Sequence, residues 1–319
     1  MKLRELYERA IDAGVGADPR GRQAVEAELQ EARKAYEELK PEDRLAFDLE
    51  KLNNPYADSR ILHGDLDREV RTVLAGIDME TPEILLADRL NQKGRNIDLV
   101  LAHHPEGRAY ANFYEVMQMQ ADILHQLGVP INVAESQLSG RMKEVERSLL
   151  PVNHTRPVDA ARLLDIPLLC VHTPADNMVA GFLQSLFDRE TPSRLKDIVK
   201  LLKTIPEYQE SIRNNAGPRI LIGSESRRTG KIFVDMTGGT SGSKESLHKL
   251  ADSGVGTIVG MHMSEDHRKE AEKHHLHVVI AGHISSDTLG INLLLDAIEE
   301  REPLTVLACS GFKRFSRRR

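Results

Sequence analysis

Apolar positions change their period along this chain. Over residues 1–55 they recur every three to four positions: Leu3, Leu6, Tyr7 and Ile11 form one stripe, and Val25, Leu29, Ala32, Tyr36 and Leu39 form another. That spacing predicts amphipathic helices, punctuated at residues 14–20 and at Pro41, with a boundary at Asn53, Asn54 and Pro55. Both stripes must be covered by the chain's own core or by a neighbouring subunit. Beyond residue 55, short continuous apolar runs alternate with helical periods. The runs at 72–77, 97–102, 166–171, 219–223, 231–236, 256–261 and 278–281 read as buried strands. Between them the pattern predicts helices at 82–93, 110–127, onward through 149, from about 178, across 191–215 with a break at Pro206, at 244–251 and from 289. The expected fold is therefore α/β, with two interleaved lobes built on mixed sheets and a helical N-terminal extension. The divisions are 1–55 for the extension, 56–190 for the first lobe, 191–215 for a helical connector and 216–319 for the second lobe.

Three of the predicted strands end in metal-competent side chains. His103 and His104 follow the apolar run at 97–102 and precede Pro105, which favours extended geometry at His104 and a turn beyond it. The run at 166–171 leads into His172 with Asp176 four residues on, and the run at 278–281 leads through Gly282 into His283 with Asp287 four residues on. Taken singly, each feature has a plain explanation: one packed and one solvated histidine, or an aspartate capping a helix start. Recurrence at three strand ends favours a site at the C-terminal edge of an open sheet. His103, His104 and His283 with Asp176 and Asp287 offer three imidazoles and two carboxylates, a donor set suited to one or two borderline divalent ions. A bridging carboxylate would hold two such ions about 3.5 to 4 Å apart, the spacing that favours hydrolysis by a shared water.

At these residues the chain resembles the Nif-three-like dinuclear-metal-centre proteins, a family also known as GTP cyclohydrolase I type 2. The resemblance rests on DLVLAHHP (98–105), CVHTPADN (170–177) and VVIAGHISSD (278–287), with weaker similarity at HGDLDREVRTVLAGID (63–78), and it spans most of residues 56–311. It implies metal ligands at His103, His104, Asp176, His283 and Asp287, two divalent ions per chain, and a ring-shaped homohexamer with the sites facing an interior cavity. One departure is visible: many members carry Glu where this chain has Asp287, and the shorter side chain is expected to reach a single ion.

Composition narrows the function without naming a substrate. No apolar stretch approaches the roughly 20 residues needed to span a bilayer, and the N-terminus lacks a secretory core, so a cytoplasmic protein is expected. Only Cys170 and Cys309 are present, which argues against a disulfide framework, and Cys170 reads as a core residue. A net charge of −6 argues against nucleic acid as a main partner. The basic tail, with five cations in residues 313–319, reads as a solvated terminus, with phosphate contact as the alternative. Residues 223–231 evoke a P-loop but have the wrong spacing and Ile232 in place of Ser or Thr, whereas the glycine-rich turn at 237–243 suits either a phosphate or a bare turn. The leading expectation is a metal-dependent hydrolase acting on a nucleotide or phosphorylated small molecule, with His172 and His262 as proton-transfer candidates. The alternative is a non-catalytic metal-binding or adaptor protein whose ions support assembly or metal handling.

Overall fold

The computed structural model describes residues 1–318. Nine strands form two sheets: β1 (Arg60–His63), β2 (Thr72–Gly76), β3 (Leu99–Ala102), β4 (Leu168–Cys170), β5 (Arg219–Ile222), β6 (Lys231–Asp235), β7 (Val255–Gly260), β8 (His277–Ile280) and β9 (Thr305–Ala308). The first sheet runs β1-β4-β3-β2-β9 and the second β5-β8-β7-β6. In each, the first strand is antiparallel to its neighbour and the rest are parallel. The α/β class with two mixed sheets is as the sequence pattern predicts. Of the parallel strands, β2, β3 and β4 are apolar on both faces because helices cover both.

The sheets are interleaved through their helices. Helix Thr173–Glu190 leaves β4 of the first sheet, yet its Val179, Leu183 and Phe187 pack with Val234, Val259 and Val279 of the second. Conversely, helix His283–Ile298 leaves β8, and its Ile291, Leu294 and Ile298 pack on Val73, Ala75, Leu99 and Leu101 of the first sheet. The two helices cross so closely at Gly290 that a Cβ there would lie 2.5 Å from the Ala175 carbonyl oxygen. That crossing brings together their N-terminal ends, with Asp176 in the first turn of one and Asp287 just beyond the first turn of the other.

Helix Leu3–Gly16 belongs to the same core: Leu3, Leu6 and Ala10 are fully buried against the first sheet, and the Met1 amino group donates to the Val70 carbonyl. Its amphipathic stripe is thus covered by the chain itself.

Four local expectations change. The helix expected at 110–127 breaks into helix Gly107–Ala111, a 3-10 segment at Phe113–Gln118 and helix Met119–Leu127, a bend that sets the Phe113 ring 5.5 Å from that of His172. The helix expected from about 178 begins at Thr173, which puts Asp176 in its first turn. β1 and β9 escaped the sequence pattern: each is a short edge strand with a mixed face. The basic tail is tied down rather than solvated, with Arg314 on Asp296 and Glu299, Arg317 on buried Glu207, and Arg318 on Glu299; Arg319 lies outside the described residues.

Candidate metal centre

Parallel strands of both sheets end toward one spot. β3 delivers His103 and His104, β4 delivers His172, helix Thr173–Glu190 delivers Asp176, and helix His283–Ile298 delivers His283 and Asp287. The five residues expected as ligands and His172 are therefore brought together. His103, His172, Asp176 and Asp287 are buried, while the His104 and His283 side chains are 25% and 41% exposed, so the cluster opens to solvent on one side only.

Three imidazoles are held the same way. Nδ1 of His103 donates to the Val171 carbonyl at 3.3 Å, Nδ1 of His104 pairs with Asp78 at 2.6 Å, and Nδ1 of His172 pairs with Asp58 at 2.8 Å. Engaging Nδ1 fixes each ring and leaves Nε2 aimed at the shared centre, the arrangement found around metal-binding histidines. His103 Nε2 lies 3.5 Å from Asp176 and 3.6 Å from Asp287; His104 Nε2 lies 3.6 Å, and His283 Nε2 3.4 Å, from the other Asp287 oxygen. Asp287 thus turns one oxygen to His103 and the other to His104 and His283. Short as it is, it faces two donor groups.

These separations exceed hydrogen-bond length. Among the described residues, seven buried side-chain donor or acceptor atoms have no hydrogen-bond partner, and four of them lie here: His103 Nε2, Asp176 Oδ1 and both Asp287 oxygens. Buried polar groups are rarely left unsatisfied. Donor sets close enough to hold an ion are His103 with Asp176 and Asp287, His104 with His283 and Asp287, and His103 with His104 and His172. Two carboxylates among imidazoles suit a borderline divalent cation, so the residues present fit the metal their family resemblance implies.

Without a cation the charges lean on protons. Burial works against a charged His103, but Asp287 and Asp176 outweigh it and raise its pKa to about 10. Burial would raise the Asp287 pKa, yet His103, followed by His104 and His283, holds the carboxyl well below the usual range.

Two positioning carboxylates were missed by the sequence reading. Asp58 is fully buried and also accepts from Thr173 and Ser59, while Asp78 is half exposed at the end of β2. Asp58 lies far from the ligand motifs in sequence, and nothing local marks it. His262 lies outside the inner cluster: it is exposed, with its ring 5.0 Å from that of His283. It stands two residues beyond Gly260 of β7 as His104 stands two beyond Ala102 of β3, the same place in the other sheet. The turn at 237–243 is clamped by Gln120, whose amide donates to the Gly238 and Thr240 carbonyls. Among the described residues no helix is long and apolar enough to cross a membrane.

No protein-family model and no curated protein matches the sequence. Solved structures do. A NIF3 superfamily protein from Sphaerobacter thermophilus is 28% identical and superposes with a TM-score of 0.69 over 80% of this chain and 91% of that one. Reduced HcgD from Methanocaldococcus jannaschii, 16% identical, shares the fold with a TM-score of 0.50 over 88% of this chain and 97% of its own. With three His/Asp motifs converging on one centre, this likeness spans most of the chain and supports the Nif-three-like resemblance read from its sequence.

Proposed function

We propose that this protein is a metal-dependent hydrolase of a nucleotide or another phosphorylated small molecule, with two divalent ions, of zinc, iron, manganese or nickel, held by His103, His104, Asp176, His283 and Asp287. One observation carries the reading: four buried donor atoms converge without partners. Leaving each unsatisfied costs about 1 to 3 kcal/mol, and two cations sharing Asp287 would relieve all four. Asp287 belongs to two of the three donor sets, which supports two ions sharing it.

When bound, such ions supply Lewis-acid polarisation and make a water acidic enough to ionise near neutral pH. The chain's own groups handle the proton and the geometry. With Nδ1 engaged by Asp58, His172 offers Nε2, 3.6 Å from Asp176, to take up a proton inside the cluster. His262, on the exposed side beside His283, is placed to exchange a proton with a substrate or with solvent. The family resemblance extends the proposal to a cytoplasmic homohexamer, which light scattering tests.

Elemental analysis of purified His103→Ala provides the primary test. Most of the bound metal is expected to be lost while circular dichroism stays native, and unchanged metal content would remove the ligand assignment. Turnover of a nucleotide and phosphoester panel tests the chemistry. His172→Ala should retain metal and lose activity by roughly 10- to 100-fold. A fully metallated wild type inert toward the whole panel would favour a metal-handling role.

A further inference from the structure

The two sheets match strand for strand, except at one edge. Pairing aligns Gly76 with Ala102 in the first sheet and Asp235 with Gly260 in the second, so β2 corresponds to β6, and Ile232, Phe233 and Val234 correspond to Val73, Leu74 and Ala75. On the outer edge of β2 lies β9, parallel, with Leu307 opposite Leu74. Thr305 donates to the Arg71 carbonyl and Cys309 to the Ala75 carbonyl, so alternate β9 residues carry the ladder and Leu307 is the one between them.

Among the described residues the outer edge of β6 carries no strand, and a cavity of about 1020 Å³ lies there. All residues from Arg228 to Thr237 line it. Side chains alternate between faces along a strand, so a cavity touching every residue runs along the edge. Its walls are layered as they are around β9, with Phe187 of one helix on one side and Leu124 and Leu250 of two others across from it.

One side chain occupies the vacant position. The Gln184 amide accepts from the Val234 N–H at 3.1 Å and donates to the Ile232 carbonyl at 3.4 Å. A residue of a parallel strand makes that same pair of bonds, to the positions before and after its partner. Ile232 and Val234 correspond to Val73 and Ala75, so the Gln184 amide stands where the Leu307 backbone stands in the first sheet.

We infer that this groove is a receptor for an extended apolar peptide segment of a partner protein, which adds to β6 as a parallel fifth strand and displaces Gln184. Charge sets its direction and its flanks. Arg228 and Lys231 lie at the start of the groove and Asp235 near its end, toward His262. A parallel strand with a free amino terminus would meet the two cations and a free carboxylate would meet Asp235. The favoured occupant is therefore an internal segment of about five residues, with an acidic residue before it and a basic one after it.

A dye-labelled, end-blocked peptide carrying the β9 sequence between opposite charges, Glu-Leu-Thr-Val-Leu-Ala-Lys, is the probe, and fluorescence anisotropy with the full-length protein is the readout. Saturable binding is expected, about tenfold tighter in Gln184→Ala, because the probe no longer competes with two hydrogen bonds. N-methylation of the second leucine, the residue matching Leu307, should abolish binding to the unaltered protein, and exchanging the Glu and Lys should weaken it severalfold. The inference is overturned if the N-methylated probe binds equally well, which would make the cavity a small-molecule site. It is likewise overturned if the probe fails to bind either protein, including at dilutions where light scattering shows that no second copy covers the edge.

Discussion

The two sheets share strand order and direction but put them to different use. At the C-terminal ends of the first sheet stand His103, His104 and His172, each with Nδ1 tied down. At the matching ends of the second, β7 leads into Met261 and exposed His262, and the contribution to the centre comes from the helix after β8. The first sheet also closes its edge with β9, whereas the second leaves β6 to Gln184. One scaffold thus yields a half that supplies His103, His104, His172 and Asp176 and a half that supplies His283 and the doubly facing carboxylate of Asp287. The centre exists only where the halves cross, and the variants that should disturb it most act on that crossing.

Asp287→Ala should have the largest effect. This carboxylate is the second sheet's link to His103, His104 and His283 together, so its loss should empty the centre of metal, with affinity falling at least 100-fold. Elemental analysis and metal titration measure this. Full metal content in the variant would mean that the remaining ligands suffice without this carboxylate.

Gly290→Ala attacks the crossing without touching a ligand. The added Cβ would lie 2.5 Å from the Ala175 carbonyl oxygen, a backbone atom that cannot rotate away. Pushing the helices apart should cost about 1 to 3 kcal/mol of stability and weaken metal binding as Asp176 and Asp287 separate. Thermal melting with and without metal reads both effects. A variant with native melting and metal affinity would show that the crossing has slack.

Much of this centre was legible in the sequence and some was not. His103, His104, Asp176, His283 and Asp287 were visible because each sits at the junction of an apolar run and a helix start, where local pattern alone marks a strand end. Asp58 was invisible because its role depends on β1 lying against β4, a pairing across more than a hundred residues that no local period records. β9 was missed for the same reason: Thr305–Ala308 is a strand because β2 offers an edge. The swapped helices were equally hidden. An amphipathic stripe states that a face is covered but not by which sheet.

A smaller effect should appear in pH dependence. In the metal-free protein His103 has its pKa raised from 6.5 to about 10. A raised folded-state pKa contributes stability that is full below the unfolded value and is lost as pH rises through the folded one. Metal-free protein should therefore lose stability between pH 6.5 and about 10. Metal must displace that proton, so uptake should tighten about tenfold per pH unit over the same window. Calorimetry near pH 8 in two buffers of different ionisation heat should detect about one proton released per chain. No release would mean that His103 is already neutral and that Asp176 and Asp287 are balanced by another group.

Asp287→Glu should have the smallest effect and separates two explanations of the family difference at this position. If side-chain length limits reach, the longer carboxylate should improve binding at the more weakly held ion. The geometry argues otherwise: the oxygens of Asp287 already face His103 at 3.6 Å and His283 at 3.4 Å, and the side chain is 1% exposed. The close crossing at Gly290 has carried the helix start inward, so backbone placement supplies the reach that a methylene would otherwise give. An extra methylene in this filled site must shift a ring or the helix, at a cost of about 1 kcal/mol. Metal affinity is accordingly expected to fall severalfold and melting to drop slightly. Titration of metal-free protein with zinc, comparing the two steps of binding in both proteins, measures it; a tighter second step in the variant would show that the second sheet's carboxylate is too short for its place.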